Sequence, residues 1–288
     1  MVVRFKCYMA PSLGGLEATP AEAWGTEPYK IFKDRNEPTV FVGLYDLRDY
    51  LVLYQHRGEK YVLWCSGDID NLLAGFVLND GKLQLISKIF KGLPSSFMDM
   101  LRYECSHYVE DDDEAEKLKS LGIRARVAPS FLGKIEDFPI SYKQRQRPNV
   151  YLSGHPDREE EYGFFFVEEL AKELPDVNFH LYGAEYCSSF PNLISHGIVP
   201  KSLFNADIKS FQCGLRLNKS DGFSEITAKS VLMGQYPITY LTYPLIPSFK
   251  KKEELVELLS ALKEMDKPNF LARDYYLLHL NSFPWVRK

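Results

Sequence analysis

The chain has 288 residues, 45% of them hydrophobic and 26% charged, with a formal net charge of -4. That composition is too apolar for disorder, long enough for two domains at roughly 100 to 200 residues each, and too acidic overall to draw nucleic acid or anionic lipid through a long-range field. No apolar run approaches the roughly 18 residues that span a bilayer, and the cysteines are odd in number, scattered and without a CxxC pair, so a cytoplasmic protein with reduced thiols is expected.

The amino-terminal stretch breaks at Pro11 without a long apolar segment, which argues against a secretory signal. Residues 2–9 and 39–45 read as strands, 47–58 as a helix closed by Gly58, and 60–68 as a strand running into a turn. Residues 94–103 read as a helix, 106–111 as a short strand, 112–122 as a helix with an acidic first turn and a glycine stop, and 123–130 as a strand. Composition then shifts: 133–148 has little apolar periodicity, two prolines and the basic residues Lys134, Lys143, Arg145 and Arg147, and reads as a solvated linker.

The alternation restarts after the linker. Strands are expected at 148–154, 177–183, 192–200, 213–218 and 236–241, with helices at 160–175, 202–211 and 224–234. The tail from 251 is helical with a break at Pro268. Its basic amphipathic segment reads as a solvated surface helix, with a membrane-facing helix as the alternative and membrane contact at most peripheral. The resulting expectation is an α/β protein of two Rossmann-like domains, 1–136 and 148–267, joined by a linker at 137–147, with a C-terminal helix in 268–288 crossing back to the first domain. Two such domains facing each other bind ligands across a cleft at the carboxyl ends of their strands, so function is sought in the loops after strands.

Four loops carry candidate chemistry. Gly14 and Gly15 follow the first strand, where adjacent glycines let backbone approach a ligand. Asp68 and Asp70 end a strand, where a carboxylate can orient or deprotonate a hydroxyl, the pair can hold a metal diphosphate, or either can cap the next helix. None of the six histidines falls at metal-ligand spacing, so no metal site is expected. His155 and Arg158 follow the first strand of the second half, where a guanidinium fork can take a diphosphate or pair with Glu159, Glu160 or Glu161. Asp221, Gly222, Phe223 and Ser224 turn from strand into helix, whose free amides and positive dipole end can hold a phosphate.

The segment "LRLNKSDGFSEITAKSVLMGQYP" resembles the donor-site signature of the GT-B glycosyltransferases, group-1/family-4 type. Asp221 to Ser224 match its acid and Gly-Phe-Gly/Ser turn without gaps, and Gly234 with Pro237 is similar to its closing pair. "GGLE" at 14–17, "WCSGD" at 64–68 and "HGIVP", which carries Ile198, resemble further segments of the family in the same order. The resemblance implies a hexosyltransferase with a nucleotide-diphosphate sugar as donor substrate, a glycan, lipid or protein acceptor, no cofactor, no metal and retention of configuration. It implies an acceptor-side first domain and a donor-binding second domain. It assigns the donor to Gly14, Gly15, His155, Arg158, Ile198, Asp221, Gly222, Phe223, Ser224, Glu225 and Lys229, with Asp68, Asp221 and Arg158 catalytic. One position departs: where the family carries a second glutamate, eight residues after the first acid, this chain has Lys229, which cannot accept a hydrogen bond. Two alternatives stay open, a metal-dependent GT-A-type transferase using Asp68 and Asp70, and a GT-B-like carbohydrate-binding protein without turnover.

Overall fold

The structure, a computed structural model, describes residues 4–13, 19–74, 93–219 and 221–286. Its described residues fall into two compact units. The first takes those of Met1–Gly133, Asp221–Phe223 and Leu280–Lys288, and the second those of Lys134–Ser220 and Ser224–His279.

The first unit is a parallel sheet in the order β2-β1-β3-β4-β5-β6. Its strands are Lys6–Met9 (β1), Glu27–Pro28 (β2), Thr39–Val42 (β3), Lys60–Leu63 (β4), Cys105–Val109 (β5) and Ala125–Val127 (β6). β3 is buried at every position, as a central parallel strand covered on both faces must be. The helices are Pro20–Trp24 (α1), Leu47–Gln55 (α2), Gly67–Leu73 (α3), Leu93–Glu104 (α4) and Asp112–Ser120 (α5). α2 starts where Asp46 and Asp49 cap each other reciprocally: Asp49 N–H donates to Asp46 Oδ1 at 3.1 Å and Asp46 N–H to Asp49 Oδ2 at 3.0 Å. It ends at Gln55 rather than at Gly58. α5 is capped by Asp111, which accepts from the Glu114 amide at 2.8 Å. Gly122, at φ 78°, supplies the left-handed stop that its sequence position suggests.

The carboxyl-terminal strap is built into this unit. Phe283 and Trp285 stack at 4.6 Å and pack with Trp24, Tyr108 and Val40 in one apolar cluster. The helix nearest the end of the chain, by contrast, belongs to the second unit.

The second unit is a parallel sheet in the order β11-β10-β7-β8-β9. Its strands are Asn149–Ser153 (β7), Asn178–Tyr182 (β8), Leu193–Gly197 (β9), Cys213–Arg216 (β10) and Ile238–Thr239 (β11). Its helices are Phe164–Glu173 (α6), Lys201–Ile208 (α7), Glu225–Leu232 (α8), Lys252–Ala261 (α9) and Phe270–His279 (α10). Gly163, at φ 78°, opens α6 instead of lying inside it, so that helix begins four residues later than its periodicity suggests. Val150, Leu152, Phe164, Val167, Leu170, Phe179, Leu215 and Leu255 are among the side chains of its core. The strand order reverses between β7 and β10, which directs attention to the loops that follow those two strands.

Candidate functional site

β10 and α8 pack closely on each other. At Gly214 a β-carbon would come within 3.0 Å of Ile226 Cγ2 and of Ser230 Cβ, while the Gly214 amide donates to Ser230 Oγ at 3.1 Å. Ser224 is the N-cap, accepting from the Thr227 amide at 3.2 Å. From Ile226 to Leu232 every residue of α8 is buried.

Lys229 is one of them, 2% exposed. Its Nζ lies 3.6 Å from Glu225 Oε2, one turn earlier, and 5.1 Å and 5.6 Å from the ring centres of Phe204 and Phe138. Lys201 Nζ approaches the same Glu225 oxygen at 4.0 Å. The lysine at the departing position is therefore an interior cation, paired with Glu225 and faced by two aromatic rings.

Arg158 is paired locally. Its Nε donates to Glu161 Oε2 at 2.7 Å and its Nη2 donates to the other oxygen of that carboxylate, both side chains being half exposed. Its guanidinium lies 5.6 Å from the Tyr162 ring centre. A second guanidinium, Arg216 at the end of β10, lies 4.9 Å from the same ring. The structure thus gathers two arginines on Tyr162, and sequence reasoning had singled out only one. The missed signal was a charged residue closing an otherwise apolar strand. His155 is exposed, its Nδ1 2.7 Å from the Pro156 carbonyl oxygen, and Ile198 is exposed just after β9. Gly14 and Gly15 lie outside the described residues.

In the first unit Asp68 has no exposed surface, and its oxygens accept the amides of Leu44, Cys65 and Ile69, each at 2.9 Å. Burial pushes its carboxyl up to about 6 against the pull of those amides. It ties the ends of β3 and β4 together and presents no free oxygen to an acceptor hydroxyl. Asp70 pairs with Lys117 Nζ at 2.7 Å. The two carboxylates therefore engage different partners and do not converge on one point. Among the described residues no group of three or more His, Cys, Asp or Glu side chains could hold a metal ion.

The acidic residues that do converge are Glu110, at the carboxyl end of β5, and Glu114 on α5. The Glu110 amide donates to Glu114 Oε2 at 2.9 Å, and Ser66 Oγ donates to Glu114 Oε1. Glu110 accepts from the Ser130 amide at 3.1 Å and from the Phe223 amide at 2.8 Å. A β-carbon at Gly222 would collide with the Glu110 carboxyl, so a side chain there would have to displace that group. In the sequence 106–111 reads as a short strand and 112–122 as a helix with an acidic first turn, and neither reading singles out Glu110 or Glu114.

Burial pushes the Glu110 carboxyl up to about 8 and, with the Glu110 charge adding to it, that of Glu114 up to about 9. A carboxyl raised in the folded state binds its proton over a range where the unfolded chain has lost it. Folding takes up protons there, and these groups make stability fall as pH rises from the ordinary carboxylate range toward about 8 to 9. Glu110→Gln and Glu114→Gln are each expected to flatten the decline of the thermal midpoint between about pH 5 and 8. A decline equally steep in both variants would mean that these carboxyls titrate normally.

No protein-family model matches the chain, and no curated protein matches it in sequence. Solved structures match its fold. The chain is similar to sucrose-phosphate synthase from Thermosynechococcus elongatus, at 11% identity over 84% of this chain and 69% of that one, with a TM-score of 0.59. It is similar to Anabaena HepE, solved in complex with UDP and glucose, at 10% identity over 83% and 72%, with a TM-score of 0.53. It is also similar to WaaG, a glycosyltransferase involved in lipopolysaccharide biosynthesis, at 10% identity over 86% and 74%, with a TM-score of 0.50. The chain spans about half the length of two other structures it matches, 54% of the pneumococcal O-GlcNAc transferase GtfA and 51% of TarM. At these identities the likeness concerns fold: the chain has the two-unit parallel α/β architecture of the GT-B glycosyltransferases. No helix among the described residues is long and apolar enough to cross a membrane.

Proposed function

We propose that the chain is a glycosyltransferase that moves a hexosyl group from a nucleotide-diphosphate sugar to a glycan, lipid or protein acceptor, without a metal and with retention of configuration. The observation that carries this reading is the passage from β10 through Asp221, Gly222 and Phe223 into the Ser224-capped α8, set on a GT-B fold. The Phe223 amide donates to the Glu110 carboxyl, so the turn presents a backbone donor of the kind a phosphate oxygen accepts. In the reaction the bond between the sugar and the diphosphate breaks and negative charge grows on the leaving group. The sequence resemblance assigns the stabilisation of that charge to Arg158 and the amides at Gly222 to Glu225, and the orientation of the transferred sugar to Asp221 through its hydroxyls. Arg158 must first exchange Glu161 for phosphate, a modest cost for a half-exposed pair. Asp68, held by three amides, is left out of the chemistry. The donor is assigned to residues 148–267 and the acceptor to residues 1–136.

Lys229 supports a second reading, a carbohydrate-binding protein without turnover, because the interior lysine cannot accept the hydroxyl contact that a glutamate makes. A panel of nucleotide sugars separates the two. Donor hydrolysis or a raised thermal midpoint with at least one of them is expected, and Asp221→Ala should weaken that response by about tenfold or more, as expected for a lost hydrogen bond from a charged group. Activity should survive a chelator. Silence toward every donor would overturn the transferase reading, and rescue of chelated enzyme by manganese would overturn metal independence.

A further inference from the structure

A cavity of about 690 Å³ opens in the second unit, and of its lining residues the donor reading involves only Glu161, as the partner of Arg158. Its volume falls in the range of small-molecule sites. Leu217, Phe166 and Phe249 give it an apolar lining, and Asn218, Lys219, Tyr240 and Lys250 bring polar groups to it.

The cations are arranged rather than merely present. Lys250 Nζ donates to the Tyr240 carbonyl at 2.7 Å and lies 4.4 Å from the centre of that residue's ring. Lys219 Nζ lies 5.9 Å from the same ring centre. One aromatic ring thus has two ammonium groups near it, and among the described residues neither has a carboxylate within ion-pair distance. Two neighbouring charges of one sign without a counter-ion favour an anion between them. Other nearby charges are accounted for. Lys252 pairs with Glu173 at 3.0 Å and Glu169 at 3.5 Å, and Glu161 with Arg158, while Glu254 accepts the Lys250 amide at 2.7 Å and closes the start of α9. Glu160 and Lys251 are exposed at the rim.

Asn218 supplies the independent observation. It is 6% exposed, lines the cavity, and its Oδ1 accepts no hydrogen bond among the described residues. A buried amide oxygen without a donor is uncommon, and a ligand hydroxyl would satisfy it.

We propose that this cavity binds the phosphate ester of a polyhydroxylated ring, with the phosphate between Lys219 and Lys250 and a ring hydroxyl donating to Asn218 Oδ1. Both a free sugar phosphate and an inositol phospholipid headgroup have that chemistry. Calorimetric titration of the full chain with glucose 6-phosphate, inorganic phosphate and glucose tests the free form, and sedimentation with phosphatidylcholine vesicles, with or without phosphatidylinositol, tests the lipid form. Saturable binding of glucose 6-phosphate above that of phosphate or glucose, or capture only by inositol-containing vesicles, is expected, and each identifies its source. Lys219 and Lys250 are exposed, so a Lys219→Ala, Lys250→Ala double variant should keep its thermal midpoint while losing at least about tenfold in affinity. Asp221→Ala should leave this binding intact even where it abolishes the response to nucleotide sugars. No binding in either format, binding unchanged in the double variant, or binding lost in Asp221→Ala would overturn the assignment.

Discussion

Lys229→Glu is expected to unfold the protein more readily rather than to restore a donor contact. The substitution places a second carboxylate one helical turn from Glu225, at a position 2% exposed. It removes the cation that faces the Phe204 and Phe138 rings and sets negative charge against their negative faces. Removing one partner of a buried pair costs about 3 to 5 kcal/mol, and like charge at i,i+4 adds to it. Glu225 is partly solvated and keeps Lys201 nearby, which tempers the loss for a neutral replacement. Lys229→Met should therefore cost clearly less than Lys229→Glu, and Glu225→Gln combined with Lys229→Met less than the two single changes summed. Urea unfolding midpoints of the four variants measure this. Lys229→Glu as stable as the parent chain would show that the lysine is not the interior cation described.

The same residue shows where reading the sequence stops. The turn from Asp221 to Ser224 was legible because each residue type has a local reason to be there: an acid, a glycine, and a serine that caps the next helix. The doubled α/β alternation was legible because buried parallel strands and amphipathic helices have different apolar periods. Lys229 reads locally as a polar position on an amphipathic helix. That α8 is buried on every side follows from its packing against β10 at Gly214, which no period reports. Asp68 was recognisable as a carboxylate at a strand end. Its three amide donors come from Leu44, Cys65 and Ile69, and a partner as distant as Leu44 is invisible locally. Glu110 and Glu114 fall on either side of the boundary between a short strand and a helix with an acidic first turn, and nothing local joins them. β2 escaped notice because two residues ending in proline carry no alternation at all.

Asn281→Leu is expected to produce the largest loss of stability among substitutions remote from the candidate sites. Asn281 is buried with φ 56°, a left-handed conformation that asparagine adopts at lower cost than leucine. Its Oδ1 accepts from Trp24 Nε1 at 3.1 Å and from the Phe131 amide at 2.8 Å, and its Nδ2 donates to the Phe131 carbonyl at 2.9 Å. Its own amide donates to the Pro129 carbonyl at 2.9 Å. One side chain thus joins the strap at 280–286 to α1 and to the segment after β6, within the cluster that holds Phe283 and Trp285. Leucine leaves three buried polar groups without partners, each costing about 1 to 3 kcal/mol, and adds about 1 to 2 kcal/mol of backbone strain. A total near 4 kcal/mol or more is a large fraction of a typical domain's stability. Asn281→Gly separates the two contributions, since glycine keeps the left-handed backbone and loses only the hydrogen bonds. Chemical unfolding monitored by tryptophan fluorescence should rank the parent chain above Asn281→Gly, and Asn281→Gly above Asn281→Leu. If Asn281→Leu matched the parent, the strap would be a passenger on the first unit and not part of its core.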